Sequence, residues 1–219
     1  MRRIRYLKEK IMRTQVIIDA DFLNIFLSFK DGEILFKDIM ESLGFSPVIH
    51  QYVADNELDV NQKAKQLIDE NIIERIPYDK IFNDKYKKFY QIEFEEYYKE
   101  MNKKMWESDK TDIFHYRKAR ENLGEIHSCI MAHFLGLKYF MSNDGGAKEL
   151  VIRRVNNNKF QLTVLSFENL LNLLVENKKK LSIDIKKRII EKLLKVENNN
   201  GYIISKKDAK LIKKQLQEL

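Results

Sequence analysis

Four acids stand where the chain changes character, and acids so placed can do metal chemistry. The apolar run Val16–Ile18 is stopped by Asp19, with Asp21 two residues on, as at the carboxyl end of a buried strand. Leu137–Met141 reads as a second strand, and Asp144 follows it in the turn SNDGG. Glu125 comes after NLG, at the amino end of the apolar helix leading into that second strand. Glu57 falls at i+4 from Val53 and i+8 from Ile49, on the apolar stripe of a helix, where an unpaired carboxylate is costly. In open parallel sheets ligands collect at the carboxyl ends of strands, where the strand order reverses. Asp19, Glu57, Glu125 and Asp144 are therefore expected to converge above such a sheet, with Asp21 beside them. Two carboxylates at close range already cannot both stay ionised without compensation. Mg²⁺ or Mn²⁺ supplies it, favouring oxygen donors in octahedral geometry and keeping several waters. Such a site suits a phosphodiester: the metal binds a phosphate oxygen and activates a water, and a second ion at about 3.5–4 Å stabilises the leaving oxygen. No Ser, Cys or His nucleophile is required, and none stands out.

Singly, each acid has a plainer reading. Asp19 can cap a helix, Glu57 can pair with a lysine, Glu125 can favour a helix dipole, and Asp144 before two glycines can make a turn. Glu57 is the least certain index, because Asp55 and Asp59 are neighbours. The joint order of the four carries the functional reading. His127 and His133 lie six apart, share no helical face and receive no ligand role; Cys129 is expected in the core.

The elements that must hold these acids follow from periodicity. Residues 1–14 are a basic lead-in. ILFKDIMESLGF has helical spacing and stops at Gly44. SPVIHQYVADNEL reads as a helix, with Ser46 as its cap and Pro47 in the first position. Residues 61–71 predict a helix, and NIIERIP a short strand closed by Pro77. Tyr86, Tyr90, Phe94, Tyr97, Met101 and Met105 recur on one helical face, as core or dimer packing rather than a base-stacking platform. Phe160–Leu165 predicts a strand feeding a helix. The tail predicts two helices split at ENNNGY, capped by Ser182 and by Ser205, which has Asp208 three residues on. Short buried strands alternating with helices imply an α/β fold with a mainly parallel central sheet. The division is a basic extension over 1–14, a domain over 15–176 with a helical insertion at 80–121, and a C-terminal helical tail over 177–219.

The bulk numbers bound the rest. Of 219 residues, 44% are hydrophobic, enough for a core, and 40 basic against 33 acidic residues leave +7. That balance suits an anionic partner such as RNA, DNA or a membrane surface, and equally a genome rich in Lys, Asn and Ile codons. A single cysteine fits a reducing cytosol. No apolar h-region precedes Val16, and no apolar run reaches the roughly 18 residues of a spanning helix, so a cytoplasmic protein without membrane contact is expected.

VIIDADFL, SPVIHQYVADNEL, NLGEIHSCIMAHFLGLKYFMSNDGGAKEL and FQLTVLSFENLLNLL resemble the successive motifs of the PIN-domain nucleases, prokaryotic type. The resemblance runs from about Val16 to Val175. It implies a three-layer PIN-like fold and a catalytic, metal-holding set of Asp19, Glu57, Glu125 and Asp144, with Ser142 in the family's Ser/Thr place. It further implies an Mg/Mn-dependent endoribonuclease acting on single-stranded or structured RNA. Many bacterial members are toxins held by an antitoxin protein, and many are homodimers. Asp21 stands where the family often carries Asn, which makes it a further metal-binding candidate. Asn143 and Gly145 replace an acid and a base common in that turn, and His127 and Ser128 follow Glu125 where another acid is frequent. Ser142, Asn143, Lys148, Arg117, Arg120 and Arg153 flank the acids as candidate nucleic-acid contacts, with Lys118 and Arg154 beside them. Two other readings compete: a PIN-like module that binds RNA or protein without cutting, and a haloacid-dehalogenase-like phosphatase suggested by DADFL. The latter wants Thr or Val where Leu23 stands and a later pair of acids where SNDGG offers one.

Overall fold

A computed structural model of the protein describes residues 13–81, 86–101, 122–198 and 201–218. Its centre is a five-stranded sheet of β1 (Thr14–Ile18), β2 (Phe45–His50), β3 (Glu74–Ile76), β4 (Tyr139–Met141) and β5 (Thr163–Leu165). All neighbours pair in parallel, in the order β3-β2-β1-β4-β5. The strands are short and rich in Val, Ile, Phe and Met because both faces are covered, which leaves no solvent face to demand polar alternation.

Side chains of β1 alternate between two cores: Val16 and Ile18 face one, Ile17 the other. The first core is closed by α1 (Ala20–Leu27), α2 (Gly32–Leu43), α3 (Gln62–Asp69) and α8 (Phe167–Glu176). Phe22, Phe26, Phe36 and Phe167 meet there edge-on or tilted, with centroids 5.3–6.4 Å apart. The second is closed by α4 (Tyr78–Ile81), α5 (Lys87–Met101), α6 (Leu123–Leu135) and α7 (Gly145–Leu150). Sheet and two helical covers make a three-layer α/β fold. No helix among the described residues is long and apolar enough to cross a membrane.

Two expectations need correction. FSPVIH is strand β2, not the start of a helix, so Ser46 and Pro47 cap nothing. Its β-branched residues find a berth between β1 and β3. Pro47 stands one residue before the β3 ladder begins at Val48, where a missing N–H removes no bond to β3. Helical winding starts only after His50 and includes a π-turn over Val53–Glu57, so Ile49, Val53 and Glu57 are not one helical stripe. The tail has its two helices, α9 (Ile183–Glu191) and α10 (Lys206–Gln217), split at ENNNGY as expected, and the split is an antiparallel pair, β6 (Glu197–Asn198) and β7 (Gly201–Tyr202).

The remaining signals hold. Gly44 ends α2 at φ +70, a conformation glycine adopts without strain. The Ser182 and Ser205 hydroxyls accept from the N–H groups of Ile185 and Asp208. Cys129 is buried. Within the segment 80–121, α5 is no peripheral excursion: Tyr90, Phe94 and Tyr98 are fully buried against the second core. Met105 lies outside the described residues.

Candidate functional site

Strand order reverses at β1: β2 and β3 lie on one side, β4 and β5 on the other. The crevice of this sheet therefore opens above the carboxyl ends of β1 and β4. Asp19 follows β1 and the Ser142–Asp144 turn follows β4. Asp19 N–H donates to Met141 O (3.0 Å), which keeps the two strand ends together.

All of the acids but Glu57, which ends the π-turn, are held at helix starts. Asp19 caps α1, accepting from Ala20 N–H on Oδ1 (2.9 Å), and Asp144 caps α7, accepting from Ala147 N–H on Oδ1 (2.9 Å). Glu125 lies in the first turn of α6. Open N–H groups and the positive end of each helix dipole meet these charges. The plain capping readings of Asp19 and Asp144 are thus true, and they are also how the acids are aimed. Ser142, buried at 1% exposure, donates its hydroxyl to Asp19 Oδ2 (3.1 Å) and accepts from Asp144 N–H (3.1 Å). One hydroxyl spans the two carboxyl-end turns. Ser142 thus holds the two acids in position.

The acids act on one another. Asp19, 2% exposed, has its pKa held well above the usual carboxylate range, first by burial and then by repulsion from Glu125, Glu57 and Asp21. Glu57 rises to about 7, through desolvation of its inner side and then repulsion from Glu125 and Asp21; a Gly124 backbone hydrogen bond pulls the other way. Its outer side is exposed, so repulsion there is screened by water. Glu125 also rises to about 7, by burial and by repulsion from Asp144 and Asp21, against a backbone hydrogen bond that lowers it. Asp19, Asp21, Glu57, Glu125 and Asp144 thus form one electrostatic group, although no three of them already surround a common point at ligating distance among the described residues.

Gly124 explains why GE rather than any residue plus Glu opens α6. A Cβ there would meet Glu57 Oε2 at 2.7 Å and Cδ at 2.8 Å. Gly124→Ala is expected to push the Glu57 carboxylate aside with the fold intact. It should weaken Mn²⁺ binding by about 10-fold or more, in the range seen for groups that orient ligands. Isothermal titration with Mn²⁺, beside far-UV circular dichroism, checks this.

Sequence reading missed a polar layer behind the acids. His50 and His127 are fully buried, with rings stacked 4.9 Å apart at 7°. Tyr52 N–H donates to His50 Nδ1 (2.9 Å), which leaves the His50 proton on Nε2, facing Tyr90 Oη at 3.4 Å. Tyr90 Oη lies 2.6 Å from His127 Nδ1, and His127 Nε2 faces Tyr78 Oη at 3.4 Å. The chain closes with both histidines neutral. Burial lowers both pKa values, that of His127 to about 3, and His127 and Arg75 further disfavour a charge on His50. Tyr52 links this layer to the site: its ring lies 4.8 Å from His127, and burial with repulsion from Glu57 and Glu125 pushes its hydroxyl up to about 12. The only sequence signal was the proximity of His127 to Glu125.

The remaining basic and polar candidates fall into three situations. Asn143 is exposed but spends Oδ1 on Phe167 N–H (2.7 Å). Arg153 reaches Glu100 (3.5 Å) and Glu149 (3.6 Å), and Arg154 pairs with Glu100 (2.7 Å), whereas Lys148 is exposed. Arg117, Lys118 and Arg120 lie outside the described residues.

No protein-family model, no curated protein and no solved structure matches this chain.

Proposed function

We propose that this chain is a metal-dependent nuclease of the PIN type, an endoribonuclease whose Asp19, Glu57, Glu125 and Asp144, with Asp21 at the rim, hold Mg²⁺ or Mn²⁺. The observation that carries the reading is the mutual repulsion of Asp19, Glu57 and Glu125 at the reversal of strand order, with Asp144 acting on Glu125. The donor set fits the ion: all oxygen, several charges, and, Asp21 apart, partly or wholly buried and each anchored by a backbone N–H or a hydroxyl. When bound, the cation supplies charge to a phosphodiester oxygen and acidity to a water. The residues of the chain do the rest. Asp19 and Asp144 keep fixed positions through Ser142, the α1 and α7 amino ends hold their charge, and Gly124 leaves Glu57 its room. Lys148, exposed in α7, is the cation this reading assigns to the RNA backbone. An antitoxin and a second copy are the protein partners this reading brings with it, and the cytoplasm is its compartment.

A second reading, a scaffold that binds RNA or protein without cutting, is favoured by the open spacing of the carboxylates among the described residues. Incubation with mixed single-stranded RNA and DNA, in Mn²⁺, Mg²⁺ or EDTA, separates the two. Cleavage of RNA with either ion, none in EDTA, and a loss of about 100-fold or more in Asp144→Asn are expected. Cleavage that persists in EDTA excludes the metal mechanism. Binding without cleavage in every condition gives the scaffold, and phosphate released from small esters with RNA intact gives the phosphatase.

A further inference from the structure

Charge is distributed unevenly along this chain. Residues 178–219 hold 13 Lys and Arg against 5 acids, a net +8, so the first 177 residues carry −1 of the total +7. The tail that concentrates this charge is folded onto the domain: Ile189, Leu193, Ile212 and Leu216 join the first core. Between α9 and α10 a trough of about 730 Å³ stays open.

The trough has an apolar floor and a basic rim. Ile183 and Ile190, spaced i and i+7, come from α9, Leu194 from the 3-10 turn that follows it, and Ala209 and Leu216, spaced i and i+7, from α10. These spacings turn one stripe of each helix to the gap. Ile183 stands at its edge with 86% of its surface in water. Five lysines, 186, 187, 195, 210 and 213, ring the floor, with Glu191 the acid among the lining residues. None of the five is in an ion pair among the described residues; the cation of α9 that is paired, Arg188, turns instead to Asp38 and Asp184.

We propose that this trough docks an acidic amphipathic helix of a partner protein, its leucine-type anchors on the apolar floor and its carboxylates against the lysine rim. Two helices with a gap between their apolar stripes offer a third helix its seat, read by anchors at i, i+3, i+4 and i+7. Charge complementarity selects the occupant. A second copy would bring its own five lysines to the rim, and the basic lead-in carries Arg2, Arg3, Arg5, Lys8 and Lys10 against Glu9. RNA fits the chemistry less well, because the lining has no aromatic ring or arginine on which a base could stack. A lipid surface cannot reach the floor of a concave trough. The inference stands apart from the nuclease reading, since the trough contains none of the acids at the strand ends.

The test uses the full chain without metal and a fluorescein-labelled peptide of about 14 residues, four helical turns, with Leu at the anchor spacing and Glu elsewhere. Fluorescence anisotropy is expected to show saturable binding, about 10-fold tighter than for a scramble of the same composition. Lys187→Glu with Lys213→Glu should weaken it by about 10-fold or more, and Ile183→Ser, at a position too exposed to disturb folding, by about 3-fold or more. No saturation by about 100 µM, or equal binding of the scramble, overturns the proposal. So does tighter binding of a single-stranded oligouridine or of phosphatidylglycerol vesicles that ignores Ile183→Ser, which would make the tail a surface for polyanions. A dimer in sedimentation velocity that Ile183→Ser breaks would assign the trough to a second copy, and that also overturns it.

Discussion

Asp19→Asn is expected to make the metal-free protein more stable and the metal-loaded protein inactive. Asp19 is nearly inaccessible and is surrounded by Glu125, Glu57 and Asp21. An asparagine keeps the size, and its Oδ1 can still accept from Ala20 N–H, while the buried charge disappears. At pH 8 without metal the gain should be about 2 kcal/mol, or roughly 4–8 °C in Tm for a chain of this size. The same change removes a central donor, so cleavage should fall by about 100-fold or more and Mg²⁺ should no longer raise Tm. Thermal denaturation with and without Mg²⁺, beside the cleavage assay, reads all three. A metal-free Asp19→Asn protein less stable than the parent at pH 8 would show that Asp19 serves the fold as a cap and not the acid group. The opposed signs in stability and activity are the signature of a residue kept for function at a cost to the fold.

The second large effect is a stability optimum in pH that metal widens on one side only. Asp19, Glu57 and Glu125 have raised folded-state values, the two glutamates about 7. The folded chain therefore holds protons that the unfolded chain has released above about 4.5. By linkage, their contribution is complete below that pH and is lost as pH rises to about 7. His50 and His127 have lowered values, so the unfolded chain takes up protons below about 6.5 that the folded chain refuses. Their contribution is complete above 6.5 and is lost as pH falls toward 3. Between 4.5 and 6.5 the two trends oppose each other. Below 4.5 only the histidine loss continues, and above 6.5 only the carboxylate loss. Three carboxylates outweigh two histidines in that interval, so the metal-free protein should be most stable near pH 4.5 and lose stability slowly up to 6.5. Mg²⁺ or Mn²⁺ binds the deprotonated acids, so at 100 times its Kd it should add about 2.7 kcal/mol at pH 8 and little at pH 5. Calorimetric scans from pH 3 to 9, with and without the ion, check this. A Tm that climbs steadily to pH 8 without metal would remove the electrostatic group, and an ion effect equal at pH 5 and pH 8 would remove the carboxylates as its ligands.

The sequence by itself determined what kind of sheet forms and which acids stand at the ends of its strands. A short β-branched run stopped by an acid, or an acid in a glycine turn after such a run, is a local pattern set by propensity and turn chemistry, so Asp19 and Asp144 were legible one at a time. The caps at Ser182 and Ser205 and the stop at Gly44 were legible for the same reason: each is decided within four residues. FSPVIH was misread because Ser-Pro is also a helix-start signal. Only the presence of β1 and β3 on its two sides, far away in sequence, makes extension the better state. Glu57 was found by a periodicity that does not exist, and what brings it to the site is a π-turn following a strand. The stacked pair His50 and His127, and the single hydroxyl of Ser142 between Asp19 and Asp144, belong to tertiary structure alone. Burial and contact across 77 or 123 positions leave no periodic trace, because their energy comes from excluding water around partners that the local chain does not contain.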